Sequence, residues 1–203
     1  MRNICNKSVA YHEAGHAVAY WDLTGRAPIL ATIEPSIGYL GRVEYEGLID
    51  DLHIDIDRSE NARLRSEHSI MIKLAGLIAQ KRYAGRSISD YASSPDWLAA
   101  VDFAIRLNND TREAIACIGW LEYRTTDLIE HHWQLVRRVA SALLRHKILG
   151  GVELQNILRV ATLLLLIQFI PTRARVRNEV PSMIAPISVC YLVENQAVTC
   201  GSV

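Results

Sequence analysis

Tyr11-His12-Glu13-Ala14-Gly15-His16-Ala17 is the stretch that decides how the rest of the chain is read. With Val9, Ala10, Val18 and Trp21 around it, the apolar spacing predicts a helix over residues 9–23, with Ser8 as its cap and Gly25 as its stop. On that helix His12 and His16 stand one turn apart on the same face, so both imidazoles can reach a single metal ion. Glu13 is rotated about 100° from His12, close enough to act as a general base toward water at the metal without binding the ion itself. Gly15 inside the helix costs about 1 kcal/mol relative to alanine, which implies that a neighbouring backbone passes close by. The plainer alternative is a helix whose two histidines fall four apart by chance. The capping and flanking residues weigh against it.

Two histidines do not complete a catalytic zinc site, which takes three protein ligands and keeps one position for water. Asp22, six residues after His16, is one candidate. It would need the chain to turn back, but the residue three after His16 is Ala19 rather than glycine. A helix that simply continues carries Asp22 about 240° around the axis, away from the metal.

The motif and the order of the segments downstream of it resemble the FtsH-type ATP-dependent zinc proteases, the M41 peptidases. Ala31-Thr32-Ile33-Glu34-Pro35 with Gly38-Tyr39-Leu40-Gly41 is similar to the family's strand and glycine-containing turn. Leu74-Ala75-Gly76 through Gly85 is similar to its GGRAAEExxFG segment. Ser93-Ser94-Pro95-Asp96-Trp97 is similar to its ASNDL segment, whose aspartate is the third zinc ligand, so the resemblance implies that role for Asp96. Leu143-Leu144 and Leu149-Gly150-Gly151-Val152-Glu153-Leu154 are similar to the closing helix and turn, which extends the resemblance over residues 8–158. Asp96 has a local reading as well. Ser94 can cap a helix, Pro95 suits its first position, and the dipole favours a carboxylate in the first turn, which by itself makes Asp96 a helix-start stabiliser.

The resemblance implies an α+β, mostly α-helical fold: a zincin-like helical peptidase domain over residues 1–158 with a small β-sheet or hairpin. A C-terminal apolar helix and tail would occupy residues 159–203. It implies a zinc metalloendopeptidase with Zn2+ held by His12, His16 and Asp96 and Glu13 as base, acting on unfolded or flexible polypeptide. Family members work as hexamers joined to an AAA ATPase. No G-x-x-x-x-G-K-[ST] loop is present here, so a motor would be a separate partner and a homo-oligomer stays open. Gly38, Tyr39, Leu40 and Gly41 are the candidate substrate-binding residues, on an edge strand that an extended peptide could join. An ordinary core hairpin is the competing reading. Where the family often carries an acidic pair, this chain has Gln80-Lys81. Gln80 could still orient an imidazole through its amide oxygen, though with less charge to raise ligand basicity. Two extra residues also separate Gly85 from Asp96 relative to the family. These departures motivate a rival function, a non-catalytic adaptor that keeps the fold and a structural zinc.

Composition narrows the classes further. The chain has 203 residues, half of them hydrophobic, and Lys plus Arg equals Asp plus Glu at 22 each. That balance gives no electrostatic reason to expect nucleic acid or an anionic membrane as partner. Cys5, Cys117, Cys190 and Cys200 are scattered and read as reduced thiols, and the first seven residues lack the apolar core of a secretory signal, so a cytoplasmic protein is expected. Val160–Ile170 is nearly all apolar but shorter than the roughly 20 residues of a membrane span.

Strands are expected at residues 28–33 and 39–45, and a solvated acidic loop containing His53 at 46–61. A helix over residues 60–84 would bury Leu64, Met71, Leu74, Ala75 and Ile78. Further helices are expected over residues 97–107, 111–120 and 126–149, the last closed by Gly150-Gly151. His131 and His132 are neighbours that cannot face the same way, and read as surface or packing residues.

Overall fold

A helix that is apolar all round must be enclosed by others, and the first helix of the computed structural model is in that position. The structure describes residues 6–47, 59–85, 91–108 and 110–168. They fall within a unit Met1–Phe169; the second unit, Ile170–Val203, lies outside the described residues. So do most of the acidic loop, His53 and three of the cysteines, while Cys117 is a free thiol.

Helix α1 (Asn6–Thr24) is buried without interruption from Glu13 to Tyr20. It starts earlier than the sequence suggests. Ser8 therefore lies inside the helix rather than capping it, and its hydroxyl accepts a hydrogen bond from Gln80 Nε2 at 2.8 Å. Gly25 ends the helix as expected, at φ 69° and with its N–H on the Trp21 carbonyl. Helix α2 (Glu60–Ala84) is capped by Ser59 and closed by a left-handed Gly85. Its first turns bury Ala62, Ser66 and Ser69, so Leu64 faces outward and is 48% exposed, contrary to expectation.

The α1–α2 contact is close because small residues line it. A side-chain carbon added at Gly15 would lie 2.5 Å from the Ala75 carbonyl oxygen and 2.7 Å from Ala79 Cβ. The neighbouring backbone that Gly15 implied is thus that of α2. Helix α3 (Pro95–Leu107) has Ser94 as its cap and Pro95 in first position, and buries Ala100, Phe103, Ala104 and Leu107 against α2.

The C-terminal helices differ from the pattern expected. Helix α4 (Thr111–His131) runs through the predicted break at residues 121–125, and within it Thr125 and Thr126 satisfy their hydroxyls on the carbonyls of Leu121 and Glu122. The chain turns instead at His132, and α5 (Trp133–His146) packs against α1. Lys147, at φ 66°, ends α5 before the glycines are reached, which frees β3 (Ile148–Gly150) to form a strand. Strands β1 (Leu30–Thr32) and β2 (Arg42–Glu44) complete an antiparallel sheet in the order β2-β1-β3. Val43, Ala31 and Leu149 form one row across the sheet toward the core, and β2 and β3 are its edges. Helix α6 (Gly151–Gln168) is continuous across residue 158. No helix of the described residues is long and apolar enough to cross a membrane.

Candidate metal centre

The close α1–α2 contact places the α2 backbone beside the first histidine face. His16 Nδ1 is 2.7 Å from the Ile72 carbonyl oxygen, which can only accept. The ring lies flat against Gly76, where an added Cβ would come within 2.4 Å of Nε2. His12 Nδ1 is 3.2 Å from Gln80 Oε1, whose amide nitrogen is spent on Ser8. Both Nδ1 atoms therefore donate, and in the neutral rings both Nε2 atoms offer lone pairs.

Those lone pairs converge with a carboxylate. His12 Nε2 and His16 Nε2 are 3.0 Å apart, and Asp96 Oδ2 lies 3.0 Å from the first and 3.3 Å from the second. Donors about 2.0–2.1 Å from a tetrahedral zinc ion stand about 3.3 Å from one another, so the triangle has the size of one face of such a site. A cation at its centre relieves the repulsion among three electron pairs held this close. Asp96 reaches the triangle from the first turn of α3. Burial works against its ionised form, but the charge that His16 and His12 carry when protonated, with the Nε2–H bonds they then donate, outweighs burial and holds its carboxyl well below the usual range. Asp22 is not part of this cluster: its Oδ1 is 2.8 Å from His132 Nε2.

Glu13 is the remaining member of the motif. It is 5% exposed, and among the described residues no hydrogen bond to it is found, yet its oxygens are not among the side-chain atoms fully cut off from solvent without a partner. A carboxylate in that position, beside the His12–His16–Asp96 triangle, is available to water or a ligand. Burial raises its pKa to about 7, with Asp96 raising it further and His12 and Lys73 opposing. The Gly41 backbone lies against it: an added Cβ would be 2.5 Å from Glu13 Oε1 and 2.8 Å from Val9 Cγ1. Behind it is Tyr45, whose phenol is pushed well above its ordinary range, first by burial and then by the charges of Glu13 and Asp96.

Of the four candidate substrate-binding residues, the structure brings Gly41 to the carboxylate. Gly38, at φ 91°, sits in a tight turn, and Tyr39 exchanges both its N–H and its carbonyl with Ser36. Among the described residues, no backbone pairing is found for Leu40, Gly41 and the outer edge of β2. Reasoning from sequence missed Lys73, whose Nζ is 3.3 Å from Asp96 Oδ1. Its signal was a lone charge in the otherwise apolar run Ile70–Ala79. A cavity of about 580 Å³ between α5 and α6 is lined by Arg137, Arg138 and Arg145 among others and contains none of these residues.

No protein-family model matches the chain, and no curated protein is significantly similar to it.

Proposed function

We propose that the chain is a zinc metalloendopeptidase of the M41-like kind, acting on unfolded or flexible polypeptide. The observation that carries this reading is the convergence of three metal-ready lone pairs beside a buried, unpartnered carboxylate. His12 Nε2, His16 Nε2 and Asp96 Oδ2 would hold the ion, and the donor set of two imidazoles and one carboxylate suits Zn2+ with one position left over. Zinc bound there supplies Lewis acidity, which polarises a peptide carbonyl and acidifies a water molecule.

Glu13 performs the proton transfers. Its carboxylate takes a proton from water as the oxygen adds to the peptide carbon, holds it as a carboxylic acid, and delivers it to the departing amine. A pKa near 7 suits a group that must both accept and release a proton. The Gly41 backbone roofs the carboxylate without a side chain, and the open edge of β2 gives an extended peptide a strand to pair with.

The test uses the zinc-loaded full chain and an unstructured casein-like substrate. Glu13→Gln should lower cleavage by about 10²–10⁴-fold while zinc content stays unchanged. Equal cleavage by both proteins would refute the enzyme reading. An adaptor is the alternative, and the exposed apolar face of α4 favours it: Ile115 is 69% exposed, Trp120 59% and Tyr123 68%. Zinc binding without cleavage by either protein, with a partner captured equally by both, would favour the adaptor.

A further inference from the structure

Lys73 is the one charged side chain that α2 sends from its apolar run toward the triangle. Its side chain is 29% exposed, and its Nζ is 3.3 Å from Asp96 Oδ1, the oxygen that does not face the histidines. Like charge makes this an unfavourable neighbour for a metal ion. A lysine in this position therefore calls for a compensating role.

We propose that Lys73 is a positioning residue that keeps Asp96 a single-oxygen ligand and so keeps the fourth coordination position open; this rests on the zinc reading of the site. A carboxylate facing a divalent cation can bind through one oxygen or both. The ammonium group engages Oδ1 and turns it from the triangle, so that only Oδ2 joins the two Nε2 atoms. Without the ammonium, Oδ1 is free to swing onto the metal and fill the place a catalytic site reserves for water. Gln80 and the Ile72 carbonyl fix the histidines, and Lys73 does the same for the third ligand.

Coordination number can be read without turnover. The metal-free full chain is loaded with Co2+, and the visible spectra of wild type, Lys73→Met and Lys73→Arg are compared, with circular dichroism confirming that each is folded. Methionine keeps the length and apolar stem without the charge. Wild type should show the intense bands of four-coordinate cobalt. Lys73→Met should bind cobalt with bands weakened severalfold by the higher coordination number, and Lys73→Arg should restore them. A Lys73→Met spectrum as intense as that of wild type would overturn the proposal. Failure of wild type to bind either cobalt or zinc would instead overturn the metal reading on which it rests.

Discussion

Glu13 is nearly excluded from water and receives no hydrogen bond from any described residue, so its ionisation works against the fold. Its pKa rises from an ordinary 4.5 to about 7 in the folded protein. A carboxyl group shifted upward contributes most to stability when protonated in both states, below pH 4.5, and that contribution is lost as pH climbs to 7. Metal-free wild type should therefore lose stability relative to Glu13→Gln across that window, by on the order of 3 kcal/mol, and the gap should then level off. Urea denaturation of both proteins at a series of pH values checks this, and a gap that does not change with pH would mean that Glu13 is solvated. Gly76 gives a second prediction at this scale. Its replacement by alanine puts a carbon 2.4 Å from His16 Nε2 and must displace the ring. Zinc affinity measured against a chromogenic chelator should fall at least about 10–100-fold, the range typical of disturbed ligand orientation. The motif made His12, Glu13 and His16 legible because helical periodicity alone fixes their mutual placement. Lys73 and Gly76 were not, because their roles depend on the phase of α2 against α1, which a single sequence does not encode locally.

Helix α1 is held by how near α2 can come. Alanine at position 15 would favour the isolated helix by about 1 kcal/mol, but its Cβ would meet the Ala75 carbonyl, and overpacking against backbone costs about 1–3 kcal/mol. Gly15→Ala should therefore destabilise the protein by up to about 2 kcal/mol, seen as a lower urea midpoint with an unchanged slope. A stabilised variant would mean that the helices stand further apart. The end of α1 and the bounds of α2 and α3 could be read from sequence because caps and stops agree there, whereas Ser8, read as the cap of α1, lies inside it. Serine at 59 and at 94, proline at 95 and glycine at 25 and 85 all stand where helix termini require them. The α4–α5 boundary could not. His132 is neither a glycine nor a proline, and its side chain pairs with distant Asp22, a contact that no local pattern announces. Strand β3 escaped for a similar reason: three residues between two helices carry no alternation, and only their register with β1 makes them a strand.

At the scale of the described unit, the three donors come from α1 and α3 and are oriented from α2, so a metal held by them would tie three helices together. Anything that binds the folded state alone raises its stability by mass action. Free zinc at about 100 times its dissociation constant should add about 2.7 kcal/mol, which raises Tm by roughly 5–10 °C in a chain of this size, and a chelator should reverse the shift. The mostly helical fold with a small sheet was legible because glycine stops, capping residues and long apolar-rich runs mark the main helices, and the joining of residues 12, 16 and 96 rests on the family resemblance together with the cap at Ser94. That joining is what zinc chemistry at this site requires above all. Equilibrium dialysis of zinc against wild type and Asp96→Ala tests it directly: wild type should take up a single ion per chain, and the variant should bind more than about 100-fold more weakly. Full stoichiometry and unchanged affinity in Asp96→Ala would contradict it.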